Sequence, residues 1–374
     1  MGFVPPPYPH DRLRALEEIA TKAPGGIVDC SIGTPVDPMP DVVVQALIDT
    51  AAQATGYPLS VGSLALRTAA ADWLGRRFRV AVAADEIIGV IGTKELVASL
   101  PRALSLRDPS RDTVLYPAVS YPTYAMGAQL AGLRAVPVPV DDRWNPVLDG
   151  VAESDAARAL MVWLNDPANP TGVTATPAQM TTAVAWARDR GIVVASDECY
   201  AEFAPRTSTI LSAGSDGMIA VHSVSKRSNL AGMRVGFYAG DPDVVEYLIE
   251  TRKHAGLMAP TPVQAAAAAA LGDDAHVEIQ RTRYRERRLL VEQGLVPYGL
   301  VHDGGDALFY LWLRAADDSD DGWEIAARLA ETAGLLVSPG DFYGPAGADH
   351  VRLALVQPRE RLELALDRMV RATA

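Results

Sequence analysis

Side chains that could bind a ligand or react with one follow five predicted strands of this sequence. They are Gly92, Thr93 and Lys94 after the first strand, Tyr121 after the second, Asn169 after the third, Asp197 and Tyr200 after the fourth, and Ser223, Ser225 and Lys226 after the fifth. Because ligands of an open parallel sheet bind beyond the carboxyl ends of its strands, these side chains should meet on one rim. That rim would combine donors for an anion with aromatic rings, an amide, a carboxylate and an amine.

One part of this set suits a phosphate group. Gly92 stands where a helix is predicted to begin, and a helix start offers free backbone N–H groups and the positive end of the helix dipole. The hydroxyls of Ser223 and Ser225 and the guanidinium of Arg234 could complete an anion cup, since arginine binds phosphate through two parallel hydrogen bonds. Each piece alone is common in ordinary turns. Their order on successive strand ends is what favours a shared site.

The remaining residues suit the ring of a pyridine aldehyde phosphate. The carboxylate of Asp197 could keep the ring nitrogen protonated, which makes the ring an electron sink. Tyr200 and Asn169 could hydrogen-bond the ring hydroxyl, and Tyr121 could stack on the ring face. Lys226 would supply the amine that condenses with the aldehyde and would later move a proton between substrate and cofactor carbons. Only four of the 34 basic residues are lysines, so few other amines could take this role.

The elements that must position these residues alternate along the chain. Runs rich in β-branched residues predict strands at 87–91, 113–116, 160–164, 192–195, 218–222 and 235–239. Helical patterns are found at 95–104, 123–131, 177–190 and 241–254. This order predicts an α/β fold with a mostly parallel sheet.

The character of the chain changes after Pro260 and Pro262. An alanine-rich helix at 263–271 and an arginine-rich helix at 279–293 lead into a smaller α+β segment. Its predicted elements are strands at 309–313 and 351–355 and helices at 323–333 and 360–370. The N-terminal segment contains three consecutive prolines at 5–7 and cannot join a parallel sheet, so we expect it to pack on this second segment.

Size and composition limit the classes of function. A chain of 374 residues exceeds the size at which one hydrophobic core keeps growing, which predicts two domains. The net charge of −12 argues against a nucleic-acid partner. Cys30 and Cys199 give neither a disulfide framework nor a metal-binding spacing, and the sequence has no signal-peptide pattern and no apolar run long enough for a membrane helix. We therefore expect a cytoplasmic protein that uses small-molecule substrates and no metal, nucleic acid or membrane.

Four motifs, taken together and in this order, resemble those of class I and II pyridoxal-phosphate-dependent aminotransferases. They are Asn169-Pro170-Thr171-Gly172, Asp197-Glu198-Cys199-Tyr200, Ser223-Val224-Ser225-Lys226 with the following segment 230–236, and Arg352-Leu353-Ala354. The resemblance covers nearly the whole chain, from Gly33 to Arg352. It implies fold type I of the pyridoxal-phosphate enzymes, the aspartate-aminotransferase fold. A large domain at 41–262 would carry a mostly parallel seven-stranded sheet, and a small α+β domain would combine 1–40 with 263–374.

The resemblance also implies roles for individual residues. Pyridoxal 5'-phosphate would be the cofactor, with Lys226 as the lysine that condenses with it and with Asp197 and Tyr200 as further catalytic residues. The cofactor would be held by Gly92, Thr93, Lys94, Tyr121, Asn169, Asp197, Tyr200, Ser223, Ser225, Lys226 and Arg234. Arg352 would clamp the substrate α-carboxylate, with Gly33 and Asn169 beside it. Tyr57 is similar to the tyrosine that reaches the phosphate in the neighbouring subunit, which implies a homodimer with shared active sites.

Shorter strings are similar to the actinobacterial type of N-succinyldiaminopimelate aminotransferase. They lie at 91–96, 225–232, 252–256 and 339–344. This similarity implies an enzyme of lysine and diaminopimelate biosynthesis that pairs N-succinyl-LL-2,6-diaminopimelate with 2-oxoglutarate or glutamate. Such a substrate carries carboxylates at its far end and would need a second cation, for which Lys94, Arg227, Arg252 and Lys253 are the candidates.

Other activities stay open at this point. An aminotransferase for aspartate, aromatic or other amino acids, or a pyridoxal-phosphate lyase on the same fold, would share every cofactor residue. A transcription regulator with such a domain would need a helix-turn-helix, for which the residues before Gly33 leave no room. A serine hydrolase of the Ser-x-x-Lys type fits the spacing from Ser223 to Lys226, but its companion Lys-Thr-Gly is absent.

Overall fold

The structure, a computed structural model, describes residues 3–206 and 208–373. Its strands are β1 (Val28–Asp29), β2 (Ile87–Val90), β3 (Thr113–Pro117), β4 (Arg134–Val138), β5 (Ala159–Asn165), β6 (Val193–Asp197), β7 (Met218–Ser223), β8 (Gly236–Gly240), β9 (Leu300–His302), β10 (Tyr310–Ala315), β11 (Leu335–Leu336), β12 (Ser338–Pro339) and β13 (His350–Ala354). Its α-helices are α1 (Arg14–Thr21), α2 (Asp41–Thr50), α3 (Leu64–Phe78), α4 (Thr93–Arg107), α5 (Thr123–Leu130), α6 (Glu153–Ala156), α7 (Pro177–Arg188), α8 (Val224–Arg227), α9 (Pro242–Ala255), α10 (Thr261–Gly272), α11 (Ala275–Leu295), α12 (Gly322–Ala333) and α13 (Arg359–Thr373). No helix among these residues combines the length and the apolar character that a bilayer crossing requires.

The larger sheet has seven strands in the order β2-β8-β7-β6-β5-β3-β4. Only β8 runs antiparallel to its neighbours, while the pairs from β7 to β4 are parallel. The predicted α/β fold with a mostly parallel seven-stranded sheet is therefore confirmed. Strand β4 was missed because it lies at the sheet edge, is largely solvent-accessible and contains Pro137, a residue that is tolerated in a strand only at such positions.

The side chains of the central strands point alternately to the two faces of the sheet, and each face packs in its own hydrophobic core. On β5, Val162 and Leu164 face one core, which also holds Phe237 of β8. Met161 and Trp163 point to the opposite side and pack in the other core. Successive strand residues face opposite sides of a sheet, and both sides of the central strands are buried. That double burial fixes the strand register and with it the position of every residue at the strand ends.

A second sheet, in the order β12-β13-β10-β9, is antiparallel, and β1 pairs in parallel with β11 beside it. The N-terminal residues Leu13, Leu16 and Val28 belong to the same buried cluster as α12 and β13. Residues 13–28 thus pack on the second segment, whereas the prolines at 5–7, for which this packing was predicted, are exposed.

The predicted domain limits at 41–262 and 263–374 stay a prediction. Helix α10 begins near the proposed limit, and its residues Ala266, Ala267 and Ala270 are buried in one core of the large sheet. Helix α11, the next along the chain, contributes Tyr284, Val291 and Leu295 to the cluster of the second segment. The packing changes between these two helices.

Candidate active site

The carboxyl ends of the large sheet open into a cavity of about 450 Å³ that also reaches the second sheet. The predicted residues that line it are Gly33, Thr93, Lys94, Tyr121, Asn169, Asp197, Tyr200, Ser223, Ser225, Lys226, Arg234 and Arg352. Gly92 adjoins it, because a Cβ atom at this position would stand 2.3 Å from Nη2 of Arg234. Tyr57 does not line the cavity, and its side chain is 97% exposed.

Lys226 lies in α8, directly after β7, and its side chain projects into the cavity. Its Nζ donates a hydrogen bond to the carbonyl of Gly33 and stands 5.6 Å from the centre of the Phe309 ring. Burial in these surroundings lowers the pKa of the amine to about 8, because charge is less stable away from water. A sizeable fraction of the amine is therefore neutral, and nucleophilic, near physiological pH.

Asp197 ends β6 and is almost fully buried. It accepts hydrogen bonds from the hydroxyl of Tyr124 at 2.9 Å and from the backbone N–H of Cys199 at 3.2 Å. Burial raises the pKa of this carboxyl, and among the described residues it forms no ion pair. A protonated ring nitrogen is the kind of partner that such a carboxylate lacks, so the residue fits the pyridine of the predicted cofactor.

Residues predicted to form an anion cup line the cavity near the start of α4, among them Thr93, Ser223, Ser225 and Arg234. Gly92 precedes the helix with a φ of 91°, a backbone conformation that suits glycine, and its missing side chain lets Arg234 approach. The hydroxyl of Ser223 accepts the backbone N–H of Ser225 at 3.0 Å, which turns the chain at the start of α8. Backbone N–H groups, two hydroxyls and a guanidinium thus surround a space that suits a phosphate.

The opposite wall carries Arg352, which is buried on β13. Its Nη1 donates to Oδ1 of Asn169 at 2.9 Å and its Nη2 donates to the carbonyl of Ser31 at 2.5 Å. The guanidinium lies close to two aromatic rings, 4.3 Å from the ring centre of Tyr310 and 4.9 Å from that of Tyr343. Fixed in this way, it can pair with the carboxylate of a substrate.

Sequence reasoning missed several residues of the cavity. Tyr124 was hidden because its only signal is its place one helical turn after Tyr121. Tyr310 was predicted only as part of a strand, yet its hydroxyl is 2.8 Å from that of Tyr200. Tyr8 and His10 come from the N-terminal segment and line the cavity mouth. Nothing in their local sequence indicates this, because the contacts join residues that are far apart in the chain.

A buried carboxylate, an amine of lowered pKa and an anion cup, placed at the end of a mostly parallel sheet, define a pyridoxal-phosphate enzyme of the aspartate-aminotransferase type. Residues 26–369 match the model of the family "Aminotransferase class I and II", and the chain belongs to this family. The family depends on pyridoxal 5'-phosphate, and the protein is an aminotransferase.

Two relatives and one solved structure are similar to this chain over nearly its whole length. The chain is 42% identical to the 4-dedimethylamino-4-oxo-anhydrotetracycline transaminase OxyQ of Streptomyces rimosus, over 97% of this chain and 99% of that protein. It is 32% identical to the LL-diaminopimelate aminotransferase of Aquifex aeolicus, over 97% of this chain and 96% of that protein. A solved structure of a probable N-succinyldiaminopimelate aminotransferase from Thermus thermophilus superimposes with a TM-score of 0.86 at 30% identity, covering 96% of this chain and 99% of the other.

Proposed function

We propose that this aminotransferase transfers the amino group of N-succinyl-LL-2,6-diaminopimelate to 2-oxoglutarate. The observation that carries the proposal is that a further cation, Lys94, lines the cavity in addition to the buried Arg352 and to Arg234 of the anion cup. Similarity to an LL-diaminopimelate aminotransferase and to a probable N-succinyldiaminopimelate aminotransferase supports the same substrate class. The protein would then serve lysine and diaminopimelate biosynthesis, and we propose that it does so in the cytoplasm.

Different residues of the cavity would have different roles in such a transfer. Pyridoxal phosphate, when bound, supplies an aldehyde that can carry an amino group and a ring that withdraws electrons. Arg352 would hold the α-carboxylate, Asp197 would hold a charged ring nitrogen and Tyr200 would donate to the ring oxygen. Lys226 would take the proton from the α-carbon of the donor and return it on the cofactor side. Because the donor product leaves before the acceptor binds, initial rates should follow ping-pong kinetics.

Lys94 is the best placed of the four candidate cations for the distal carboxylate. It lines the cavity mouth, where its Nζ donates to the hydroxyl of Tyr8 at 3.2 Å. The other candidates are engaged elsewhere: Arg227 pairs with Glu202 at 3.3 Å, Arg252 with Glu95 at 2.6 Å and Lys253 with Glu250. A solvent-accessible cation at the mouth suits a long substrate whose far end remains near the entrance.

The test is a comparison of donors in the wild-type enzyme and in Lys94→Met. We expect the variant to raise the KM for N-succinyl-LL-2,6-diaminopimelate about tenfold, the usual effect of losing one charge-assisted hydrogen bond. The KM for L-norleucine, which has no second carboxylate, should not change. Lys253→Met, which removes a lysine outside the cavity, is the matched control. Equal effects on both donors, or strong preference of the wild type for aspartate or aromatic donors, would contradict the proposal.

A second acceptor class is favoured by one observation, the 42% identity to the transaminase OxyQ. We therefore include a polycyclic ketone of the anhydrotetracycline type as an acceptor, with glutamate as the donor. Transfer of ¹⁵N from glutamate to the product also separates a transaminase from a lyase on the same fold. A higher kcat/KM for the polycyclic ketone than for the 2-oxo acid of the succinylated substrate would replace the first proposal with this one.

We also propose that the protein acts as a homodimer in which Tyr57 reaches the phosphate site of the partner subunit. Large apolar side chains near this residue are strongly exposed, with Ile48 at 64%, Leu59 at 63% and Leu64 at 64%. An apolar surface of this kind is typical of a subunit interface. Arg234 of the anion cup is itself solvent-exposed, so a residue from a second copy would have access to it.

A further inference from the structure

Tyr310 stands between the two sheets and touches groups from both. It begins β10 in the smaller sheet and is almost fully buried. Its hydroxyl lies 2.8 Å from the hydroxyl of Tyr200, which follows β6 of the large sheet. The position of that hydroxyl is tightly constrained, since a Cβ atom at Gly33 would stand 2.1 Å from it. Gly33 is thus the residue that allows Tyr310 to reach Tyr200.

The proposed contact of Tyr200 with the cofactor decides which of the two hydroxyls donates the hydrogen bond between them. A phenol has one proton to donate and can accept through its oxygen lone pairs. If Tyr200 donates its proton to the ring oxygen of the cofactor, its own oxygen is left as an acceptor. Tyr310 must then be the donor of the 2.8 Å hydrogen bond. Hydrogen bonds in such a chain polarise one another, so the donation by Tyr310 makes Tyr200 a stronger donor.

The ring of Tyr310 has a separate contact. The guanidinium of Arg352 lies 4.3 Å from its centre, close enough for a cation–π interaction. Strands β10 and β13 are paired so that Trp312 lies opposite Arg352, which places Tyr310 diagonally across from the arginine on the same pair of strands. The ring of Tyr343 also lies near the guanidinium, with its centre at 4.9 Å.

We propose that Tyr310 is a positioning residue that holds the Tyr200 hydroxyl through its own hydroxyl and the Arg352 guanidinium through its ring. It thereby ties the group that contacts the cofactor ring to the group that binds the substrate carboxylate. The inference rests on the proposed roles of Tyr200 and Arg352 and is independent of which amino acid is the substrate.

The hydroxyl is tested by titrating the visible absorbance of the holoenzyme with pH in the absence of substrate. Donation from Tyr200 stabilises negative charge on the ring oxygen, which helps the cofactor linked to Lys226 to lose its proton. Tyr310→Phe weakens that donation, so the titration midpoint should rise by about half a pH unit. The expected shift is small because the lost hydrogen bond is neutral and acts on the ring oxygen only through Tyr200. Tyr200→Phe should raise the midpoint further. Tyr343→Phe, which keeps a ring against Arg352 and does not touch Tyr200, should leave it unchanged.

The ring is tested by steady-state kinetics. Tyr310→Phe keeps the ring and should leave the KM for the amino donor within about twofold, whereas Tyr310→Leu should raise it about tenfold by removing the cation–π contact. If Tyr200→Phe shifts the midpoint but Tyr310→Phe does not, the inference is wrong while the role of Tyr200 stands. If Tyr200→Phe does not shift it either, the proposed role of Tyr200 fails and the inference fails with it. A change in the KM of Tyr310→Phe as large as that of Tyr310→Leu would also overturn it, because it would indicate a general structural defect.

Discussion

The properties of Lys226, the proposed reactive amine, depend on its immediate surroundings. Lys226 projects into the cavity, and burial among the neighbouring residues lowers the pKa of its ammonium group to about 8. The neighbouring Asp197 has a raised pKa for the same reason. Shifted pKa values of an amine and an acid in one cavity are typical of catalytic sites.

The amine should make cofactor capture dependent on pH. As the pH falls below about 8, a growing fraction of Lys226 carries a proton, and the protonated amine has no lone pair with which to attack the aldehyde. The rate at which the apoenzyme condenses with pyridoxal phosphate should therefore rise with pH and level off above this value, as followed by stopped-flow absorbance. Lys226→Ala should show no such phase. Binding of pyridoxine 5'-phosphate, which has no aldehyde, is the control and should not follow the same curve. A condensation rate that falls between pH 7 and 9 would contradict the assignment.

At the scale of elements, the start of α4 is the feature that suits an anion. The first N–H groups of a helix have no partner inside the helix, and they point toward whatever lies before the first turn. Gly92 precedes this helix with a φ of 91° and makes room for Arg234. Backbone conformation and side-chain approach both depend on this one glycine.

Gly92→Ala should therefore weaken cofactor binding. The new methyl group would meet Arg234 and strain a left-handed backbone, and we expect the dissociation constant of pyridoxal phosphate to rise at least about tenfold. Equilibrium dialysis of the apoenzyme measures this. Gly272→Ala at the end of α10 is the matched control, since no atom lies within 4 Å of the added methyl group. Unchanged affinity in Gly92→Ala would show that the phosphate is held elsewhere.

At the scale of the whole molecule, a buried ion pair joins the N-terminal segment to α11. Two hydrogen bonds of 2.6 and 2.8 Å connect the guanidinium of Arg287 with the carboxylate of Asp37. Burial would raise the pKa of Asp37, but the hydrogen bonds from Arg287 and Gln280 outweigh it and lower the pKa. The pair therefore stabilises the fold above the pKa of the unfolded carboxyl, and this stabilisation is lost as the pH falls through the lower folded value.

Arg287→Met should lower the free energy of unfolding by about 3 kcal/mol at neutral pH, because it leaves the largely buried carboxylate of Asp37 without its cationic partner. Urea unfolding followed by circular dichroism measures the loss. Arg14→Met breaks the ion pair of Arg14 with Glu18, whose side chains are 85% and 66% exposed, and should change stability by less than about 0.5 kcal/mol. Similar losses in the two variants would mean that the Arg287 pair contributes no more than a surface contact.

Subunit mixing tests the proposed dimer directly. Lys226→Ala and Tyr57→Ala each remove one component of the site, and each pure variant should have little activity. After denaturation and refolding together, random pairing should restore intact sites to about a quarter of the wild-type number, because each mixed dimer contains one site with both residues. A mixture that stays inactive, or wild-type protein that sediments as a monomer, would contradict a site shared between subunits.

The sequence by itself determined the order in which the candidate catalytic and binding residues follow one another along the chain. Asp197 ends a buried strand and Lys226 lies shortly after another, and parallel strands end at one edge, so local patterns sufficed to bring them together. The same patterns predicted the α/β class and the parallel sheet, because strand and helix periods depend on neighbouring residues. The edge strand β4 was not predicted, because its partial exposure removes the apolar pattern by which a buried strand is recognised.

Only the tertiary structure decided which distant segments complete the cavity. Tyr8 reaches Lys94, Tyr310 reaches Tyr200, and Arg352 donates to Asn169, each across a long separation in sequence. No local propensity encodes such contacts, because they exist only after the two sheets and the N-terminal segment have packed against one another. The tertiary structure also decided which candidate cation a substrate could reach, since Arg252 pairs with Glu95 whereas Lys94 lies at the cavity mouth.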